Sequence, residues 1–281
     1  MDFDGKSLTS SKGTITLEQL IYKSPLPEEF YKEIFRGRLE GSEEPLAITI
    51  VHKLTPKGSE VGHHEMDCLQ KFQRIPQVIE TYEIMESDTY IVWVQKLYAS
   101  SVYSLINKRP LLDEEKTVIF KNILKAVQEI HQLGYVYVDT SSENFLIDQK
   151  VTTAKLTDFG SAKKQETLSR PHRTLVYSSF APELIQNRYS GLPIRETVQS
   201  DVWGLGNAFY FIHNRQHTPW HSLLIQRKKK EAYEIMSDEK SFPKPKDRQS
   251  IDYLVWSMLR PLPNERLTIE KVLGVIPLIM P

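Results

Sequence analysis

Residues 135–160 read YVYVDTSSENFLIDQKVTTAKLTDFG. The pattern is two short strands joined by a turn, with three polar side chains standing out of it: Asp139, Asn144 and Asp158. Asp139 and Asn144 lie five apart in a loop. Asp158 opens an Asp-Phe-Gly turn after the alternating VTTAKLT. Two carboxylates and an amide brought together would hold Mg²⁺ against a polyphosphate, because hard cations take oxygen ligands.

Before this stretch the chain is β-prone. TITLEQLIY, FYKEIFRGRLE and PLAITIVHK read as strands, and VIETYEIM with TYIVWVQKL reads as an antiparallel pair. Between them Met66, Leu69 and Phe72 recur at helical spacing. This gives about five strands and one helix before residue 96, after a polar stretch, residues 1–14, that reads as a loose lead-in. Beyond Gln95–Leu97 the pattern turns helical. SVYSLINK is one short helix, and Asp113 is expected to cap a longer one carrying Phe120, Ile123, Leu124, Val127 and Ile130. SDVWGLGNAFYFIHN reads as a buried helix, and SIDYLVWSMLR and TIEKVLGVI as further helices around a Pro261–Pro263 turn.

In order and spacing these features resemble the eukaryotic protein kinases. The catalytic loop of that family runs H-R-D-x-x-x-x-N and its metal turn is D-F-G; here the D-x-x-x-x-N of Asp139 and Asn144 precedes Asp158 by fourteen residues. Ala181-Pro182-Glu183 matches the A-P-E that closes the activation segment, and Asp201-Val-Trp-Gly-Leu-Gly matches the helix that follows it. Arg266 is placed to pair with Glu183. The resemblance covers roughly residues 30–270. It implies an α+β, bilobal fold with a β-rich small lobe (1–95) and a mostly helical large lobe (96–281). It also implies Asp139 as the residue that orients a substrate hydroxyl, Asn144 and Asp158 as Mg²⁺ ligands, and Mg–ATP as the cofactor. Glu65, opening E-M-D-C-L, resembles the helix glutamate that pairs with a phosphate-holding lysine; a solvated helix charge is the alternative.

Other motifs are broken. With Ile34-Phe35-Arg36-Gly37 aligned to the end of the second kinase strand, Pro27, Glu29 and Lys32 stand where the Gly-rich loop has its glycines. Those glycines let backbone N–H groups approach phosphate without a Cβ in the way. The third strand, expected as V-A-I-K, reads Leu46-Ala47-Ile48-Thr49, so its cation is missing. Val138 replaces the arginine of the catalytic loop, and Ser141 stands where Ser/Thr kinases carry a lysine on the γ-phosphate. Neutralising the transferring phosphoryl group is most of what such a site does. Losing two cations and the backbone cradle removes many powers of ten in rate, at ~1.4 kcal/mol per decade. Against this, the "with-no-lysine" kinases replace the missing cation from the position of Lys32. Near Ala181, Thr174-Leu-Val-Tyr177 lacks the usual preceding glycine, and Thr167, Ser169 and Thr174 are candidate phosphorylation sites.

Composition narrows the remaining classes. The 36 basic and 36 acidic residues cancel, which argues against a general attraction to nucleic acid or anionic membrane. Cys68 is the single cysteine, so no intrachain disulfide forms. The N-terminus has no apolar signal-peptide core, and VLGVIPLIMP is too short for a membrane span. The run Arg227–Lys230 reads as an exposed helix face, with a docking patch as the alternative. The expectation is a soluble cytoplasmic or nuclear pseudokinase with protein partners that retains the Mg²⁺–nucleotide ligands. Its alternative is an active Ser/Thr-type kinase using Lys32 as a relocated cation.

Overall fold

The computed structural model describes residues 5–24, 31–165, 167–169 and 179–280. The chain divides into two compact units, one ending at Ala99 and the other beginning at Ser100. The expected boundary at 95/96 falls four residues early. β6 continues through Lys96, and Lys96 and Tyr98 both reach Glu80, which ties the connecting residues to the first unit.

The first unit is a six-stranded antiparallel sheet, ordered β1-β2-β3-β4-β6-β5, with one helix. The strands are β1 (Ser7–Ser10), β2 (Gly13–Lys23), β3 (Tyr31–Leu39), β4 (Pro45–His52), β5 (Thr81–Glu86) and β6 (Tyr90–Lys96). The helix α1 (Pro56–Phe72) sits between β4 and β5. β4 and β6 are rich in β-branched residues, and successive side chains of a strand point to opposite faces. Period two thus separates Ile48, Ile50, Val92 and Val94, which join Leu8, Ile15 and Leu46 in one core, from Thr49, Val51, Ile91 and Trp93. This second face receives α1. A Cβ on Gly62 of α1 would lie 2.9 Å from Val51 Cγ1 and 3.2 Å from Ile91 Cδ1, so only glycine lets the helix come this close. Thr55 caps α1 by accepting the Gly58 N–H at 3.0 Å.

The lead-in expectation is corrected for residues 7–10. They form β1, paired with β2 from Ser7↔Thr16 to Ser10↔Gly13, and Leu8 is buried in the core. The polar composition hid a strand whose single large apolar residue carries its burial.

In the second unit a three-stranded sheet joins β7 (Ser100–Ser101), β9 (Phe145–Ile147) and β10 (Ala154–Leu156). Two-stranded pairs join β8 (Tyr135–Val136) to β11 (Lys163–Lys164) and β12 (Leu168–Ser169) to β13 (Ile194–Arg195). The helices are α2 (Val102–Lys108), α3 (Asp113–Gln132), α4 (Pro182–Tyr189), α5 (Val198–Asn214), α6 (His221–Ile225), α7 (Lys229–Ser237), α8 (Ile251–Met258) and α9 (Ile269–Ile279). The apolar stripe of α3 is buried as its spacing predicts. Its start differs by one residue: Leu112 holds the cap position, and the Glu115 carboxylate accepts the Leu112 N–H at 2.9 Å. Phe120 of α3 stacks on Phe209 of α5 at 3.8 Å between centroids.

The expected Glu183–Arg266 pair is present and bidentate, at 2.8 and 2.7 Å. Arg266 also donates to the carbonyls of Arg260, Gln199 and Pro261. The first turn of α4, the start of α5 and the turn before α9 are thereby tied to one buried guanidinium. No helix among the described residues is long and apolar enough to cross a membrane.

Candidate active site

In the first unit the sheet register determines where Lys32 points. Lys32 pairs with Val51, so its side chain shares the face of Val51 and Thr49, the face that receives α1. Glu65 lies on α1 one turn after Gly62. The outcome is a buried ion pair, Lys32 Nζ to Glu65 Oε1 at 2.6 Å, with both side chains less than a tenth exposed. Neither residue is the solvated charge that an exposed strand or helix would carry. The Lys32 ammonium also stands 5.8 Å from the centre of the Trp93 ring. Thr49 is buried on the same face, one strand over. β3 thus places a buried lysine in contact with the helix glutamate, on the face where Thr49 of β4 stands.

In the second unit the loop after β8 is held from below by Asp201, in the first turn of α5. Its buried carboxylate accepts the N–H groups of Tyr137 and Val138 at 2.7 and 2.9 Å and contacts His131 Nε2 at 2.8 Å. Val138 has φ 74°, an outlier for a β-branched residue. Such strain, ~1–3 kcal/mol, persists only where surrounding contacts enforce it; here the Asp201 carboxylate does so. Packing tightens the same point. A Cβ on Gly204 would stand 2.1 Å from Thr140 Oγ1, so α5 carries glycine where it passes under the loop. The Asp201 motif was legible in the sequence, but its role as a clamp needed the tertiary contact.

Above this base, Tyr137 is fully buried, packs edge-on to Phe159, and donates its hydroxyl to the Thr157 carbonyl at 2.5 Å. The catalytic loop is so bonded directly to the residue before Asp158. The β9–β10 hairpin sets Phe145 opposite Leu156, which fixes Asn144 and Asp158 at neighbouring strand ends. Asn144 is buried and donates its side-chain N–H to the Asp139 backbone carbonyl at 3.1 Å. Asp158 adopts φ 57°. One amide oxygen and one carboxylate suit a hard cation such as Mg²⁺.

Burial, and then the nearby Asp158 carboxylate, push the Asp139 carboxyl up from 3.8 to about 6, while the Asn144 amide and the Ser141 N–H pull it down. Its value thus lies closer to neutrality than an ordinary aspartate's. The hydroxyl of Ser141 accepts the Glu143 N–H at 3.3 Å and caps the short turn Ser142–Asn144. It brings no charge to that position. Pro27 and Glu29, like Thr174 and Tyr177, lie outside the described residues; Thr167 is exposed and Ser169 belongs to β12.

A raised carboxylate binds more protons folded than unfolded between pH 3.8 and about 6, so Asp139 lowers stability as pH rises through that window. Asp139→Asn is therefore expected to raise the melting temperature at pH 7.5 by roughly 2–4 °C, about 1 kcal/mol after discounting for partial exposure. The gain should shrink towards pH 4. An equal gain at both pH values in thermal melts would contradict the assignment.

Residues 31–275 match the family model described as the protein kinase domain. Among curated proteins the chain is similar to a probable myosin light chain kinase of Dictyostelium discoideum, 30% identical over 249 residues, covering 85% of this chain and 49% of the relative. It is similar to the dual specificity protein kinase TTK of Mus musculus, at 27% over 221 residues, covering 75% and 25%. A third relative is the CBL-interacting protein kinase 5 of Oryza sativa subsp. japonica, at 24% over 273 residues, covering 93% and 56%. The chain thus spans between a quarter and somewhat over half of the length of these relatives.

Proposed function

The chain belongs to the protein kinase family, and we propose that it binds Mg–ATP and transfers the γ-phosphate to serine or threonine hydroxyls, with Lys32 in place of the third-strand lysine. The single observation that carries this reading is the buried Lys32–Glu65 pair at 2.6 Å. A lysine held inside by a helix glutamate is a preorganised cation, and preorganised charge is what phosphoryl transfer draws on. When bound, Mg–ATP would supply the phosphoryl group and the metal charge that offsets its oxygens.

The residues of this chain take the remaining tasks. Lys32 neutralises phosphate oxygens, and Glu65 keeps its ammonium extended. Asn144 offers its amide oxygen and Asp158 its carboxylate to the metal. Asp139 orients the attacking hydroxyl and takes its proton. Tyr137 and Asp201 hold the loop that carries Asp139. Glu143 stands four residues after Asp139, in place of the arginine that would suggest tyrosine as acceptor.

A second reading, a pseudokinase that binds Mg–nucleotide and signals through conformation, is favoured by a specific observation. Ser141 puts a neutral hydroxyl, already used as a cap, where a second cation would stand. The deciding experiment is a transfer assay with [γ-³²P]ATP and Mg²⁺ on casein and myelin basic protein, comparing wild type with Asp139→Asn. Incorporation into serine and threonine that falls at least ~100-fold in the variant is expected, the scale of a lost general base. Nucleotide binding without any incorporation above the Asp139→Asn background would establish the pseudokinase instead.

A further inference from the structure

The segment after Asp158 is stitched into the second unit along its length. β11 pairs with β8, Lys163↔Val136 and Lys164↔Tyr135, just before the loop that carries Asp139. Gln165 follows: its backbone N–H donates to the Gly134 carbonyl at 2.8 Å, and its side-chain amide to the His131 carbonyl at 2.8 Å. Further along, β12 pairs with β13, Leu168↔Arg195 and Ser169↔Ile194.

One charged contact joins these points. Glu196 follows β13 directly and precedes Thr197, whose hydroxyl accepts the Ser200 N–H at 3.2 Å and caps α5. The Glu196 side chain is 1% exposed and meets Lys163 Nζ at 3.0 Å. A carboxylate this deep is held as an anion only by a cation or by donors around it, and the first residue of β11 supplies a cation. Asp201, in the first turn of the same α5, accepts the Tyr137 and Val138 N–H groups. Residues 194–201 thus grip both the strand that leaves Asp158 and the loop that carries Asp139.

We infer that Glu196 is a built-in counter-charge that docks residues 163–165 and 167–169, so that this segment is ordered, and the Asp139 loop positioned, with no phosphate on the segment. A phosphate added to a loop orders it by giving nearby cations an anion to meet. Here Lys163 already meets a buried carboxylate, and Val138 brings no charge beside Asp139. A phosphate on Thr167, which is exposed, would compete with an anion that is already in place and desolvated. The inference concerns the regulation of the site proposed above and rests on that reading only for its effect on transfer; the docking itself is read without turnover.

The test is hydrogen–deuterium exchange on the full chain after treatment with a protein phosphatase, with mass spectrometry confirming that no phosphate remains. Glu196→Gln is the informative variant. It keeps the shape of the buried side chain, and the lysine it releases is 18% exposed and can turn to water, so the fold is kept. Amides of residues 162–165 are expected to stay protected in the dephosphorylated wild type. In Glu196→Gln they should exchange at least ~10-fold faster, a loss of ~1.4 kcal/mol, while those of α3 keep their protection. Glu196→Asp, which retains the charge, should restore part of it. In the transfer assay above, Glu196→Gln should lower kcat at least ~10-fold and leave the KM for ATP within ~2-fold, as for a residue that positions the Asp139 loop without meeting nucleotide. A wild type that transfers nothing would refute the proposed function and leave the exchange result to decide this inference. Four outcomes would overturn it: rapid exchange over 162–165 in the dephosphorylated wild type, unchanged protection in Glu196→Gln, equal loss in Glu196→Asp, or a loss that extends equally through α3.

Discussion

Lys32→Ala is expected to abolish the rise in melting temperature that Mg–ATP gives the wild type, and adding Thr49→Lys is expected to restore part of it. Strand register sets this expectation. Thr49 and Lys32 lie on adjacent strands and on one face of the sheet, the face on which α1 presents Glu65. A lysine placed at 49 re-enters from the neighbouring strand and finds the same carboxylate. A ligand that binds only the folded protein stabilises it by RT ln(1 + [L]/Kd), about 2.7 kcal/mol at a hundredfold excess over Kd. Losing the cation that meets the phosphates should reduce that increment to near zero. Lys32→Ala also removes the ammonium 2.6 Å from the buried Glu65 carboxylate, at roughly 3–5 kcal/mol of stability without ligand. The Lys32→Met, Glu65→Leu double variant should lose less than Lys32→Ala, because it removes both charges together. An undiminished Mg–ATP shift in Lys32→Ala would sink the relocated-cation reading.

The second large effect concerns stability alone. All five N–H groups of a guanidinium are engaged at Arg266: two on Glu183 and one on each of three carbonyls. The side chain is fully buried and lies 5.1 Å from the Trp203 ring centre. Arg266→Ala removes every partner at once and leaves those carbonyls unsatisfied. The expected loss is about 3–5 kcal/mol, a fall in melting temperature on the order of 10 °C for a chain of this size. Arg266→Lys should recover little, since an ammonium cannot span the five acceptors. A fall of less than about 2 °C for Arg266→Ala would mean that the network is marginal and that α4 is held by its apolar contacts instead.

Much of this protein was readable before its coordinates. Period-two and period-3.6 patterns are local, and they located β2 to β6, α1, α3 and α5, because each needs only its own neighbours to show which face is apolar. The spacing of Asp139, Asn144 and Asp158 was legible for the same reason: one short hairpin carries all three. β1 was missed because a four-residue polar strand has no periodicity to read, and its burial depends on Leu8 meeting a core assembled from distant strands. Read along the chain, Thr49 and Lys32 are unrelated positions; register across two strands puts them on one face of the sheet.

The sequence by itself therefore determined the family, the two-unit α+β architecture and the identity of the metal-ligand candidates. The tertiary structure decided that Lys32 meets Glu65 across 33 residues, that Asp201 clamps Val138 in a left-handed conformation, and that burial and then Asp158 raise Asp139. Each of these is a through-space interaction between groups remote in sequence. Its strength comes from burial and from removal of water, which exist only once the chain has packed.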